Sequence, residues 1–213
     1  MTPEQVLQTP PKVLSERQRV SYYDNGYLLV EKAINDHWLA RLRTATDEMV
    51  MSSREVTASD ATWDIESGHS AVAPKLRRLS SPNDHHPDYW AYACSDIVLN
   101  IVADLIGPDI KFHHSKLNFK WCGGGEEVKW HQDIGFWPHT NFSPCTVGLY
   151  LYDCDDSQGP LGVIRGSHTG TLYDQYDVDG EWVGCLSDND VTKLKQNDIV
   201  YLPGPAGSLT IHN

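Results

Sequence analysis

Helical spacing of apolar residues recurs in the first half of the chain. The clearest run follows Asn35, a capping residue, and places on one helix face Trp38, Leu39, Leu42, Ala45 and Met49. A shorter helix is predicted from Ser15, which has capping-box spacing to Gln18, and a third from Ser95 to the stop at Gly107-Pro108. Residues 1–14 have no such period and contain two prolines in succession, so we expect a flexible arm.

After Pro108 the pattern changes to short strands separated by turns. Following an earlier short strand at 75–79, the predicted strands are 111–121, 128–133, 145–152, 161–165, 198–202 and 208–213. A polar excursion at 174–190 interrupts them, and the polar, unperiodic stretch 52–68 is expected to form an exposed loop. Helices first and strands afterwards indicate a mainly β fold, a sheet-on-sheet barrel with the N-terminal helices packed on one sheet.

Composition limits the classes of protein that the chain can represent. A length of 213 residues suits one domain over 1–213, and no apolar run approaches the ~18 residues of a membrane span. The formal charge of −12 argues against nucleic acid as a partner. The N-terminus shows no secretory signal, and the five cysteines show no C-x-x-C spacing, so we expect free thiols in the cytoplasm.

The sequence Trp130-His131-Gln132-Asp133 carries the strongest chemical signal. In a strand His131 and Asp133 share a face while Gln132 points away. An imidazole and a carboxylate on one strand, completed by a second histidine from a distant strand, leave three positions open on an octahedral ion. That arrangement is used by non-haem Fe(II) oxygenases.

The surroundings of this motif narrow the interpretation. Before it stands the glycine run 123–125, and after it come an aromatic segment at 136–138, the apolar strand 145–152, the turn Gln158-Gly159-Pro160-Leu161 and the strand end Arg165-Gly166-Ser167-His168. In this order the pieces resemble the phytanoyl-CoA dioxygenase family of Fe(II)/2-oxoglutarate oxygenases. The resemblance implies a double-stranded β-helix, a jelly-roll barrel of the cupin type.

The resemblance also implies a reaction and its cofactors. His131 and Asp133 would bind Fe(II), with 2-oxoglutarate as co-substrate and O2 as oxidant, and a small-molecule substrate would be hydroxylated with release of succinate and CO2. Relatives that halogenate lack the carboxylate, so Asp133 favours hydroxylation. The substrate and the oligomeric state are not indicated by the sequence.

Further site residues follow from matching segments to the family. Contacts to 2-oxoglutarate are implied for Lys75, for Lys116 with Asn118, and for Leu149. Lys116 and Asn118 are two apart on a predicted strand and therefore share a face. For Lys75 a role as a surface lysine fits the sequence equally well.

Other histidines carry weaker signals. Of the adjacent His113 and His114 at most one can face inward, and structural roles are expected for both. His168 is expected to bond backbone in its turn, whereas His139, in the aromatic loop, could contact substrate.

Two other classes of function remain open at this stage. The same barrel could form a catalytically silent binding protein, or a hydrolase or isomerase that uses another metal, since function is set by the site and not by the fold.

The end of the sequence differs from the family pattern. In relatives, the second iron-binding histidine comes about five residues after the position that His212 matches, and an arginine for 2-oxoglutarate comes later. We therefore expect the intact protein to continue past Asn213 with at least one more strand. The rival interpretation makes His212 itself the third metal ligand.

Overall fold

The computed structural model describes residues 1–122, 127–136, 141 and 143–213 of the chain. The glycine run 123–125, Trp137-Pro138 and His139, all singled out in the sequence, lie outside these residues. The α-helices are α1 (Pro3–Leu7), α2 (Glu16–Asn25), α3 (Asp36–Ser52), α4 (Pro82–His85), α5 (Pro87–Ala93), α6 (Asp96–Ile106) and α7 (Asp188–Val191).

The three helices with clear sequence signals form as predicted. Ser15 accepts a hydrogen bond from the backbone N–H of Gln18, and Gly26 ends α2 in a left-handed conformation with φ 82°. Asn35 caps α3 by accepting a hydrogen bond from the N–H of Trp38 at 3.0 Å. Two further helices, α4 and α5, lie between α3 and α6.

The N-terminal segment is packed, which corrects the expected flexible arm. Val6, in α1, is buried, and its carbonyl accepts a hydrogen bond from the buried guanidinium of Arg19. The carboxylate of Asp104 in α6 accepts hydrogen bonds from the backbone N–H groups of residues 12–14 at 2.8 Å. These bonds join the segment to α2 and α6 although it has no internal period.

The strands form three sheets. The strands are β1 (Tyr27–Val30), β2 (Trp63–Ile65), β3 (Leu76–Ser80), β4 (Lys116–Asn118), β5 (Thr146–Leu149), β6 (Leu161–Ile164), β7 (Ile199–Leu202) and β8 (Leu209–His212). They pair antiparallel in the orders β1-β8-β5, β2-β3-β4 and β6-β7. The sheets are not closed into a barrel within the described residues.

Two predicted elements differ from the structure. Residues 128–133 form no paired strand; an extended Gln132 leads instead into a 3-10 helix at Asp133–Gly135. The expected loop at 52–68 contributes β2, which pairs with β3. The strand predicted at 75–79 is present as β3, shifted by one residue, and the other predicted strands are present but shorter than expected.

The larger core lies between the β1-β8-β5 sheet and the helices. Leu209 and Ile211 of β8 are fully buried there, with Leu28 of β1 and Ile101 of α6. A smaller core around Met49, Leu76 and Leu79 joins α3 to β3.

No single helix in the described part of the chain has the length and apolar composition to cross a membrane. The bent pair α5 and α6, at 43° to each other, meets those two conditions only when taken together.

Candidate active site

A carboxylate placed between two imidazoles is the centre of the candidate site. The Oδ1 atom of Asp133 lies 3.3 Å from Nε2 of His131, and its Oδ2 atom lies 3.3 Å from Nε2 of His212. The Thr146 hydroxyl donates a hydrogen bond to Oδ2 at 2.7 Å. The side chain of Asp133 is only 9% exposed, so these contacts replace most of its hydration.

The register of β8 brings His212 to this carboxylate. Successive side chains of a strand alternate between faces, so the burial of Leu209 and Ile211 in the core directs Thr210 and His212 to the opposite face. His212 lies directly across from Thr146 of β5, the residue that donates to Asp133. The structure therefore brings His212 close to the carboxylate that also contacts His131.

Hydrogen bonds fix the ionisation of Asp133. Burial by itself would raise the pKa of this carboxyl, but the hydrogen bonds from His131, His212 and Thr146 outweigh it and hold the pKa far below its ordinary value. The bond to Asp133 raises the pKa of His131, and burial opposes that shift.

Backbone contacts orient the first histidine. Nδ1 of His131 lies 2.8 Å from the carbonyl oxygen of Lys129, to which an Nδ1–H can donate. That contact leaves Nε2 directed at Asp133, the orientation needed by an imidazole that binds metal through Nε2.

The chemistry of the donor set fits a non-haem iron centre. Two imidazole nitrogens and one carboxylate are the ligands of the two-histidine, one-carboxylate class. In this structure each of the two imidazoles contacts the Asp133 carboxylate. No group of three or more His, Cys, Asp or Glu among the described residues is arranged around a common metal position. A metal ion would therefore replace the imidazole–carboxylate contacts.

Lys116 and Asn118 lie on one face of β4, as predicted. The opposite face of β4 carries Leu117, which packs on the smaller core. Lys116 keeps an exposed surface, yet desolvation lowers the pKa of its ammonium group; the charge of Asp133 opposes this shift and that of Arg78 adds to it. The side of β4 with Lys116 is thus electrostatically coupled to Asp133.

The other two residues predicted to contact 2-oxoglutarate are Leu149 and Lys75. Leu149 belongs to the face of β5 that packs on the larger core, together with Val147, whereas Thr146 is on the opposite face. Leu149 is therefore a core residue. Lys75 precedes β3, where its backbone bonds to the ring of His69; its side chain has no hydrogen bond or ion pair within the described residues, and its role stays a prediction.

Gln132, between the two ligand candidates, points away from them as predicted. Its Nε2 donates to the carbonyl of Thr171 at 3.0 Å, and its Oε1 accepts from the N–H of Tyr173 at 2.8 Å. The Nε2 of the buried Gln175 in turn donates to the carbonyl of Gln132 at 2.9 Å. These hydrogen bonds hold residues 171–175 beside Gln132 and the candidate site.

Sequence reasoning missed the aromatic contact that Trp182, in the excursion 174–190, supplies beside the site. The ring of His131 packs edge-on against Phe136 with centroids 5.7 Å apart, and Phe136 packs against Trp182 at 5.2 Å. The available signal was the pair of aromatic residues in this stretch, Tyr176 and Trp182.

The remaining histidines have structural contacts. His168 bonds the backbone carbonyl of Tyr23 at 2.9 Å, so it bonds backbone as expected, although in α2 and not in its own turn. His113 and His114 face each other with Nδ1 atoms 2.9 Å apart and line a cavity of about 450 Å³ together with Trp90 and Phe112. His131, Asp133 and His212, which we call the Asp133 cluster, do not line this cavity. The candidate site is therefore defined by the nitrogen and oxygen atoms of these three side chains.

The chain matches a protein-family model and is similar in sequence to named dioxygenases and hydroxylases. Residues 22–213 match the family model described as phytanoyl-CoA dioxygenase (PhyH). A protein of Stutzerimonas stutzeri named "probable alpha-ketoglutarate-dependent hypophosphite dioxygenase" is 28% identical over 94% of this chain and 70% of its own length. The L-proline trans-4-hydroxylase of Streptomyces griseoviridis is 26% identical over 73% of this chain and 56% of its own length.

Solved structures extend the similarity to the fold. EctD from S. alaskensis, crystallised with 2-oxoglutarate and 5-hydroxyectoine, superimposes with a TM-score of 0.74 at 22% identity and covers 98% of this chain and 71% of its own. The same protein has been crystallised with bound Fe. These neighbours confirm the predicted fold class.

The fold and the relatives define one class, the 2-oxoglutarate-dependent dioxygenases, and this confirms the enzyme class expected from the sequence. Within that class, the chain belongs to the phytanoyl-CoA dioxygenase family. The matched relatives differ in their named substrates, so family membership does not determine what this chain acts on.

Proposed function

We propose that this chain is the site-bearing domain of an Fe(II)/2-oxoglutarate-dependent dioxygenase that hydroxylates a small molecule. The observation that carries the proposal is the Asp133 carboxylate with Nε2 of His131 and of His212 each 3.3 Å from its oxygens. These three side chains would hold the iron. Thr146 would keep the carboxylate oriented, and the Lys129 carbonyl would do the same for the His131 ring.

Lys116 and Asn118 are the residues proposed to bind 2-oxoglutarate. A dicarboxylate needs cations or donors for the carboxylate that does not chelate metal, because an unpaired buried carboxylate is costly. Lys116 offers such a charge on the side of β4 that is coupled to Asp133. When bound, the iron would supply activation of O2, coupled to decarboxylation of 2-oxoglutarate to succinate and CO2.

The setting of the site supports the rest of the proposal. A net charge of −12 disfavours nucleic acid and is compatible with a small-molecule substrate. The five cysteines are all free, which supports a cytoplasmic location. The family match from residue 22 and the packing of residues 12–14 on α6 support a single domain over 1–213.

The proposal is tested by anaerobic titration of the purified protein with Fe(II) and then 2-oxoglutarate. We expect a weak visible charge-transfer band that needs both components, and succinate release that needs O2. His131→Ala should lose the band, whereas His37→Ala, which changes an exposed histidine of α3, should retain it.

Other results would contradict the proposal in distinct ways. Binding of small molecules without any succinate release would indicate a catalytically silent barrel. Turnover with zinc and no response to 2-oxoglutarate would indicate a non-oxidative metal enzyme.

A further inference from the structure

Arg78 and Lys116 lie on one face of the β2-β3-β4 sheet. In the register between β3 and β4, Arg78 is directly across from Asn118, and Ser80 is directly across from Lys116. Residues directly opposite each other, and residues two apart along a strand, share a face. The other face carries Leu79 and Leu117, which pack on the smaller core.

Neither cation has an acidic partner within the described residues. The Nε of Arg78 is buried and makes no hydrogen bond. Asp64 lies across from Arg78 on β2, but its carboxylate pairs with the adjacent Arg77 at 2.9 Å. Among the residues that the structure describes, Lys116 likewise has no ion pair or hydrogen bond, and the charge of Asp133 attracts it at longer range.

Two neighbouring cations that are not directly paired with a carboxylate are unfavourable. Each repels the other, and an unsatisfied guanidinium N–H away from water loses hydrogen bonds that nothing replaces. The arrangement becomes favourable when an anion binds between the two groups. A guanidinium then gives paired hydrogen bonds to a carboxylate or similar oxyanion, and an ammonium gives a point charge.

We propose that Arg78, together with Lys116 and Asn118, forms an oxyanion-binding subsite on this face of the sheet, next to the Asp133 cluster. The ligand is a carboxylate or a small oxyanion of similar geometry. Its position relative to the reaction rests on the proposed function, since the Asp133 cluster is the metal site only under that proposal.

Two sources of such an anion meet this description. One is the outer carboxylate of 2-oxoglutarate, and the other is an anionic group of the primary substrate, for which hypophosphite is a simple probe. Both require the charge and the paired donors of Arg78, so the experiment has one arm for each.

The experiment is isothermal titration calorimetry of the whole chain with two probes. In the first arm, 2-oxoglutarate is titrated into protein loaded anaerobically with Fe(II); in the second, hypophosphite is titrated into metal-free and Fe(II)-loaded protein. The variants are Arg78→Gln and Arg78→Lys, with Arg77→Gln as the matched control because Arg77 already has a carboxylate partner. Thermal unfolding of each variant verifies that it is folded.

We expect Arg78→Gln to weaken one of the two probes by roughly 10- to 100-fold, the scale of a lost charge-assisted hydrogen bond. Arg78→Lys should recover part of the affinity, and Arg77→Gln should change it less than about threefold. Loss confined to 2-oxoglutarate supports the subsite with the co-substrate as its ligand. Loss confined to hypophosphite supports it with an anionic primary substrate.

Unchanged binding of both probes in folded Arg78→Gln would overturn the subsite. Equal weakening by Arg77→Gln would overturn it as well, because the effect would then report overall charge. Failure of the proposed function gives a different result: wild-type protein would not bind 2-oxoglutarate in the presence of Fe(II), while the hypophosphite arm on metal-free protein would still report on Arg78.

Discussion

The two faces of the β1-β8-β5 sheet differ in what they contribute to the molecule. On one face Leu209 and Ile211 are fully buried in the larger core. On the other face His212 and Thr146 contact the Asp133 carboxylate. One four-residue strand, β8, thus supplies both apolar packing and a candidate ligand, because alternate side chains point in opposite directions.

This difference teaches where stability and chemistry can be changed separately. Burial of apolar area dominates the free energy of folding, so substitutions on the core face should lower the free energy of unfolding. The side chains on the site face satisfy one another through hydrogen bonds around one charge, so changes there should act mainly on metal binding. The predictions below separate the two.

The largest effect is expected for Asp133→Ala, which removes the only carboxylate of the proposed metal set. Iron-dependent succinate release should fall to background, and the free energy of unfolding of the metal-free protein should change by no more than about 2 kcal/mol. The measurements are succinate release and urea unfolding. Full turnover in this variant would refute the metal assignment, and unfolding would show that the two faces cannot be separated.

The largest effect on stability is expected for Leu209→Ala. The side chain is fully buried, so its truncation leaves a cavity and should lower the free energy of unfolding by about 2–5 kcal/mol. Leu172→Ala, a change at an exposed leucine, should stay within about 0.5 kcal/mol of the wild type. Urea unfolding compares the two. Equal losses would contradict the assignment of the core face.

An intermediate effect is expected for Lys116→Gln. The apparent constant for 2-oxoglutarate should rise by roughly one to two orders of magnitude, equivalent to a lost charge-assisted hydrogen bond of ~1.5–3 kcal/mol. Lys111→Gln, at an exposed position in the preceding segment, serves as control. Lys75→Ala belongs in the same titration series, because an equal rise would place Lys75 at the site after all. No change in Lys116→Gln would remove Lys116 from it.

The smallest effect is expected for Gly148→Ala on the site face of β5. A Cβ at this position would come within 2.5 Å of the Thr210 hydroxyl oxygen, so one of the two must move, at a cost of about 1–3 kcal/mol. The double variant Gly148→Ala/Thr210→Ala should regain part of that loss. Additive losses in urea unfolding would show that the two side chains do not compete for space.

Local signals in the sequence determined the helices and the family. The caps at Ser15 and Asn35 and the stop at Gly107 depend on residues three or four positions apart, so they are visible without the fold. The His131-Gln132-Asp133 pattern and its neighbouring turns were sufficient to indicate the enzyme class. The Gln132 side chain points away from His131 and Asp133, and this too follows from the extended backbone alone.

The tertiary structure decided which of these residues meet. Leu149 packs against the larger core, and residues 1–14 are packed and not free, because the burial of each is set by elements distant in sequence. His212 reaches Asp133 only through the register of β8 with β5, and Arg78 reaches Asn118 only through that of β3 with β4. A shift of one residue in either register would turn every side chain to the other face, and no local pattern specifies that choice.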